Sequence, residues 1–216
     1  DLFGNHETHE PADSNKREET SLPQMPLSFK NISNTDHNYQ LVDNAEKRSS
    51  LVRLLNDHSF FCFDTETTGL DANNCELVGL SFSVKQGEAW YVPLPADQNE
   101  CRTIVTEFKS VLENPLISKI GQNIKYDILV LKWYDVNIQG ELFDTMLAHY
   151  LIDPDSRHNM DLLAENYLNY SPVSISTLIG DKGKNQGNMR DADIEKVKEY
   201  AAEDADITLQ LKTVFE

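Results

Sequence analysis

Phe60-Phe61-Cys62-Phe63-Asp64-Thr65-Glu66-Thr67-Thr68-Gly69-Leu70 is the stretch around which the chain is organised. An apolar, aromatic run ends abruptly in two acids. A run this short and aromatic predicts a strand buried on both faces. Side chains alternate along a strand, so Asp64 and Glu66 point to one side. Two carboxylates at the end of a buried strand repel each other and are costly to desolvate. Divalent cations relieve both problems, and carboxylate oxygens suit hard ions such as Mg²⁺. The plainer reading is a strand entering a Thr67-Thr68-Gly69 turn, and the two acids alone do not decide between them.

The 216 residues suit one ordinary domain plus a tail. With 36 acids against 19 bases the formal net charge is −17. That is a poor balance for gripping duplex nucleic acid by its phosphates, but it allows an enzyme that holds a few nucleotides through metal ions. Three cysteines, Cys62, Cys75 and Cys101, form no CxxC pair, which suits free thiols in a reducing compartment. No apolar run approaches a membrane span and no signal peptide is visible. The first residue is Asp1 rather than Met, as expected of a piece of something longer.

Residues 1–37 are rich in Asn, Glu, Ser, Thr and Pro without a sustained apolar period, and read as a flexible polar linker. Met25, Leu27 and Phe29 allow the other reading, an arm packed on the domain. The globular part is expected over 38–216. Strands are predicted near Tyr39–Val42, Ser59–Thr65, Leu77–Val84, Ala89–Leu94 and Ile117–Ile120, with Lys85-Gln86-Gly87-Glu88 as a hairpin turn. Helices are predicted over Ala45–Asn56, Glu100–Glu113, Ile124–Tyr134, Phe143–Leu151, Asp161–Tyr167 and Asp191–Phe215. Three hairpin-linked strands followed by alternating helix and strand make a mixed α/β sheet of five strands, an antiparallel meander then parallel strands, flanked by helices.

Two further acids stand in unusual places. On the last helix Val197, Tyr200, Ala201, Asp204, Thr208 and Leu211 fall on one face, which makes Asp204 a carboxylate on the buried side. Such groups are rare unless paired, hydrogen-bonded or holding metal. Asp206, two residues on, points away and reads as a solvated surface acid. In Gly121-Gln122-Asn123-Ile124-Lys125-Tyr126-Asp127 a strand ends, Gly turns the chain and a helix begins, with Asn123 as its cap. Asp127 then lies on the face shared with Leu131, although a first-turn Asp favoured by the helix dipole is an ordinary alternative.

In order, two acids on a strand, one opening a helix and Tyr-x-x-x-Asp on a late helix, the chain resembles the DEDD superfamily of 3′-5′ exonucleases, tyrosine subgroup. Within it the match looks closest to the proofreading domains of bacterial DNA polymerases of the polymerase I type. Leu77–Phe82, Phe143–Leu147 and Lys182–Gln186 add to it. The resemblance covers about residues 38–216 and implies an RNase H-like fold. It implies that Asp64, Glu66, Asp127, Tyr200 and Asp204 are catalytic, with Asp64, Glu66, Asp127 and Asp204 binding two divalent ions, Mg²⁺ or substituting Mn²⁺. Tyr200 would orient the attacking water, helped by Glu66. Thr65, Leu70, Gln122, Asn123 and Tyr126 match positions that contact the 3′-terminal nucleotides, while Asp144 matches a supporting position. The implied substrate is a single-stranded 3′ end of DNA, and the implied partner is a polymerase domain of the same polypeptide, in a monomer of the bacterial cytoplasm at the nucleoid. Lys125, Lys182, Lys184 and Arg190 are the candidate phosphate partners. An RNase D-like exoribonuclease and a non-catalytic scaffold module are the rival readings. One departure stands out: Ile175 and Ser176 occupy the place where the family carries an aromatic near the 3′ end.

Overall fold

The computed structural model describes residues 28–181, 183 and 186–216. Lys182 and Lys184, Met25 and Leu27, and most of the lead-in lie outside the described residues. The last part of the lead-in lies against the domain: the Lys30 amide donates to the Asn169 carbonyl at 3.0 Å, and the Lys30 carbonyl accepts from the Ser171 amide at 2.8 Å.

The strands are β1 (Asn38–Leu41), β2 (Phe60–Thr67), β3 (Leu77–Lys85), β4 (Glu88–Pro93), β5 (Ser118–Gly121) and β6 (Leu142–Asp144). The helices are α1 (Ala45–Asn56), α2 (Gln98–Glu107), α3 (Lys109–Leu112), α4 (Lys125–Lys132), α5 (Thr145–Ile152), α6 (Met160–Leu163), α7 (Ser176–Ile179) and α8 (Ile194–Phe215). The sheet order is β1-β4-β3-β2-β5-β6. β2, β3 and β4 form the antiparallel meander, and β5 and β6 add in parallel beyond β2. β1 adds in parallel on β4.

Among the described residues the sheet thus has six strands, not the five read from the sequence. The extra one is β6, the first part of what read as a helix over Phe143–Leu151. Only three residues long, it carries no alternation that could separate it from the helix that follows. The helix starts at Thr145 because Asp144 accepts the amides of Met146 and Leu147 at 2.9 and 3.3 Å, a side-chain cap. The helix expected over Glu100–Glu113 is broken at Phe108 into α2 and α3, and α2 begins earlier because Asp97 caps it.

Alternation along β2 separates two cores. Phe61 and Phe63 join the large cluster under α1 to α4, with Leu55, Phe82, Phe108 and Leu131. Cys62 points the other way, against Ala205 and Leu209 of α8. Asp64 and Glu66 continue the Cys62 side and therefore face α8. Gly79 pairs with Glu66 across the β2–β3 ladder, and only a glycine fits there, since a Cβ would stand 2.2 Å from the Tyr91 ring.

The middle of α8 is covered on both sides, by the sheet and by the α5–α6 region, so residues 201–211 are mostly buried. This corrects the reading of Asp206. It is 3% exposed and accepts hydrogen bonds from the Tyr39 hydroxyl at 2.8 Å, the Gly87 amide at 3.0 Å and Gln210 Nε2 at 3.1 Å. Asp206 is covered from the sheet side, by β1 and the turn between β3 and β4, which reach past the face that carries Asp204. Glu203, unremarked in the sequence, is likewise buried and accepts from the Tyr170 hydroxyl at 2.6 Å and the Val173 amide at 2.7 Å.

Candidate active site

A cavity of about 640 Å³ opens at the C-terminal end of β2, bounded by the Thr67–Leu70 turn, the start of α4, α7 and α8. Asp64, Glu66 and Asp204 meet in it, each offering a carboxylate oxygen within 4.8 Å of the others. β2 supplies two on one face, and α8, crossing that face, supplies the third. Glu66 is 6% exposed, and Asp64 and Asp204 are partly exposed. Glu66 Oε1 and Asp204 Oδ1 are buried with no hydrogen-bond partner among the described residues. Buried carboxylate oxygens without donors are costly, and a cation is what such a set fits. Burial pushes Asp64 up to about 7. Burial, and then the charges of its neighbours, push Glu66 and Asp204 far above the usual carboxylate range.

Tyr200 sits one helical turn before Asp204. Burial first, then the charges of Asp204, Glu66 and Asp64, raise its phenol far above its ordinary value, so it stays a neutral hydroxyl.

Asp127 enters from the other layer. It is 2% exposed, lines the same cavity, and is not part of the three-carboxylate group. Its Oδ1 accepts from the Thr65 hydroxyl at 2.6 Å and the Thr65 amide at 3.1 Å. Because Thr65 alternates with Asp64 and Glu66, it faces α4 while they face α8. The hydroxyl expected to meet a nucleotide is thus engaged with Asp127. Thr65→Val, which keeps the shape and removes the hydroxyl, is expected to lower turnover about tenfold or more, because the buried Asp127 carboxylate loses a donor that fixes it. Thr65→Ser should restore most of it, and a Val variant with full turnover would show that the bond is idle.

The other predicted contacts divide. Tyr126 donates to the Gly69 carbonyl at 2.6 Å and shares a hydrogen bond with the Thr67 hydroxyl, pinning the turn that carries Leu70. Leu70 is 88% exposed at the cavity edge. Gln122 spends its amide within the protein, donating to the His158 carbonyl at 2.7 Å and accepting from the Thr145 hydroxyl. Asn123 does not cap α4; it adopts a left-handed backbone, φ 56°, and its side chain makes no hydrogen bond among the described residues. Ile175 and Ser176 line the cavity. Lys125 is exposed on α4. Arg190 faces away from the carboxylates, donating to the carbonyls of Leu94 at 3.2 Å and Leu77 at 2.8 Å, so it ties the Met189–Asp191 turn to the sheet.

The 3′-5′ exonuclease family of the DNA polymerase A type matches residues 39–216. DNA polymerase I of Pseudomonas aeruginosa is 38% identical over 182 residues, 80% of this chain and 20% of that protein. DNA polymerase I of Borreliella burgdorferi is 34% identical over 181 residues, 82% of this chain and 19% of that protein. The chain spans about a fifth of the length of these relatives. Among solved structures, Brucella melitensis NrnC with bound Mg²⁺ aligns with a TM-score of 0.59 at 21% identity, over 84% of this chain and 80% of that one, a likeness of fold. The chain belongs to the DNA polymerase A family of 3′-5′ exonuclease domains and is by that membership a 3′-5′ exonuclease.

Proposed function

We propose that this chain is the proofreading exodeoxyribonuclease domain of a longer polypeptide that also carries a DNA polymerase. It hydrolyses the terminal phosphodiester of an unpaired 3′ end and releases 5′-mononucleotides. The observation that carries the reading is the meeting of Asp64, Glu66 and Asp204 around two buried oxygens that have no partner among the described residues.

Asp64, Glu66 and Asp204 would hold one divalent ion, and Asp64 with Asp127 a second, Mg²⁺ or Mn²⁺; four carboxylates balance the charge of two such ions. When bound, the ions make water a stronger nucleophile and stabilise charge on the phosphate and the leaving oxygen. The residues do the rest. Tyr200, a neutral hydroxyl, orients the attacking water with help from Glu66. Water adds at phosphorus, the bond to the 3′ oxygen breaks, and that oxygen leaves as the new 3′ hydroxyl. Leu70 and Asn123 at the cavity edge meet the terminal nucleotides. A net charge of −17 disfavours a duplex and favours a few threaded nucleotides positioned by the ions.

Matched single-stranded DNA and RNA oligonucleotides test this. The DNA is expected to be trimmed from its 3′ end to 5′-mononucleotides, and faster than the RNA. Equal or faster trimming of RNA would favour an RNase D-like role.

A further inference from the structure

We propose that Asp144, through a double hydrogen bond to the turn after β5, is a positioning residue that sets Asn123 for the substrate. This rests on the exonuclease reading above and concerns the same site.

The sequence runs from β5 into α4 in three residues, Gln122, Asn123 and Ile124. Gly121, the last residue of β5, pairs with Asp144 of β6. From that position Asp144 Oδ1 accepts the Asn123 amide at 3.0 Å and Oδ2 accepts the Ile124 amide at 3.1 Å. These are amides that the start of α4 leaves without an intrahelical partner, and no side chain of its own turn caps it. The same carboxylate caps α5. One acid therefore anchors two helix starts.

The tie has a consequence for Asn123. A left-handed backbone is unfavourable for a residue with a Cβ, although Asn tolerates it best. Asn123 holds φ 56°, and the carboxylate binds its own amide and the next. The neighbouring Gln122 amide is taken up by His158 and Thr145. Of the two carboxamides in the turn, only that of Asn123 has no protein partner among the described residues, and it lines the cavity with the carboxylates. A carboxamide offers both a donor and an acceptor, which suits the hydroxyl and phosphate oxygens of a terminal nucleotide. Its placement depends on Asp144, a residue outside the cavity lining.

Kinetics of Mg²⁺-dependent hydrolysis of a single-stranded DNA oligonucleotide by the 216-residue chain test this in a double-mutant cycle. In Asp144→Ser the hydroxyl still caps α5 but is too short to reach the turn. Asp144→Ser is expected to raise KM about tenfold with kcat nearly unchanged, and Asn123→Ala to do the same. The double variant should be no worse than Asn123→Ala alone. Losses that multiply, or an Asp144→Ser protein with the KM of the wild type, overturn the proposal. If the serine variant does not fold, Asp144→Asn, which keeps one oxygen and replaces only the acceptor for Ile124, enters the same cycle with the same two outcomes. An inactive wild-type chain would instead overturn the exonuclease reading itself.

Discussion

Asp204→Ala is expected to abolish cleavage and, in metal-free buffer, to raise the melting temperature. The loss follows from removing one of three carboxylates that share one point. Removing a residue that merely orients a metal ligand costs about 10- to 100-fold, so on the proposed ion-holding role of Asp204 its loss should cost more than about a hundredfold. Asp64→Ala should behave alike, and Tyr200→Phe should keep partial activity, since it loses one hydroxyl and no ligand. The stability gain follows from the partnerless Asp204 Oδ1 and from relief of like charge. The pH dependence has a definite sign. In the metal-free protein the site carboxyls have raised pKa values, with Asp64 at about 7. The folded state therefore keeps protons that the unfolded chain, with carboxyl values near ~4, releases. Their contribution is complete below that unfolded value and is lost as pH rises through about 7 for Asp64. Metal-free wild type should thus lose stability between mildly acidic and neutral pH, and Asp204→Ala should lose less. A variant less stable than wild type at pH 7 without metal would show that Asp204 is held by protein contacts.

Lys119→Met is expected to lower stability by about 3–5 kcal/mol, a fall in melting temperature of about 10 °C or more. Lys119 is fully buried in β5. Its ammonium donates to the carbonyls of Asn114 at 2.6 Å, Ile117 at 2.8 Å and Gln139 at 2.7 Å and lies 5.7 Å from the Phe61 ring centroid. Burial pushes its pKa down to about 8, yet three carbonyl acceptors match its three protons. Methionine fills the stem's space but leaves three acceptors without a donor, each costing about 1–3 kcal/mol before relaxation. Turnover of the folded fraction at 25 °C should hold, because Lys119 touches no cavity residue's side chain. Thermal melts alone decide this, and a shift under about 2 °C would mean that water or rearranged loops replace the ammonium.

The strand that carries Asp64 and Glu66, the meander around Gly87 and the inward-facing side of Asp204 on α8 were legible in the sequence. The strand and the helix rest on a short-range period, two along β2 and three to four along α8, and the meander rests on the Lys85-Gln86-Gly87-Glu88 turn signal. What escaped was set by neighbours distant in sequence. Asp206 read as solvated because a helix pattern does not reveal how far the sheet beneath it extends, here to Tyr39 and Gly87. β6 is too short to show a period. Asn123 read as a cap because Asn before a helix usually is one, whereas the acceptor comes from Asp144 on the next strand. Thr65 read as a nucleotide contact, but only the packing of α4 on β2 shows that its hydroxyl meets Asp127. Lys119 gave no signal, since a lysine in a short strand looks like any edge residue.

The central claim is that these acids cut a strand from its 3′ end only with divalent ions in place. A 5′-labelled single-stranded DNA oligonucleotide, digested by the purified chain in Mg²⁺ and in EDTA, tests it most directly. The predicted result is a ladder of labelled products shortened stepwise from the 3′ end in Mg²⁺, and intact oligonucleotide in EDTA. Equal digestion in EDTA, or no shortening with Mg²⁺ or Mn²⁺, would contradict it.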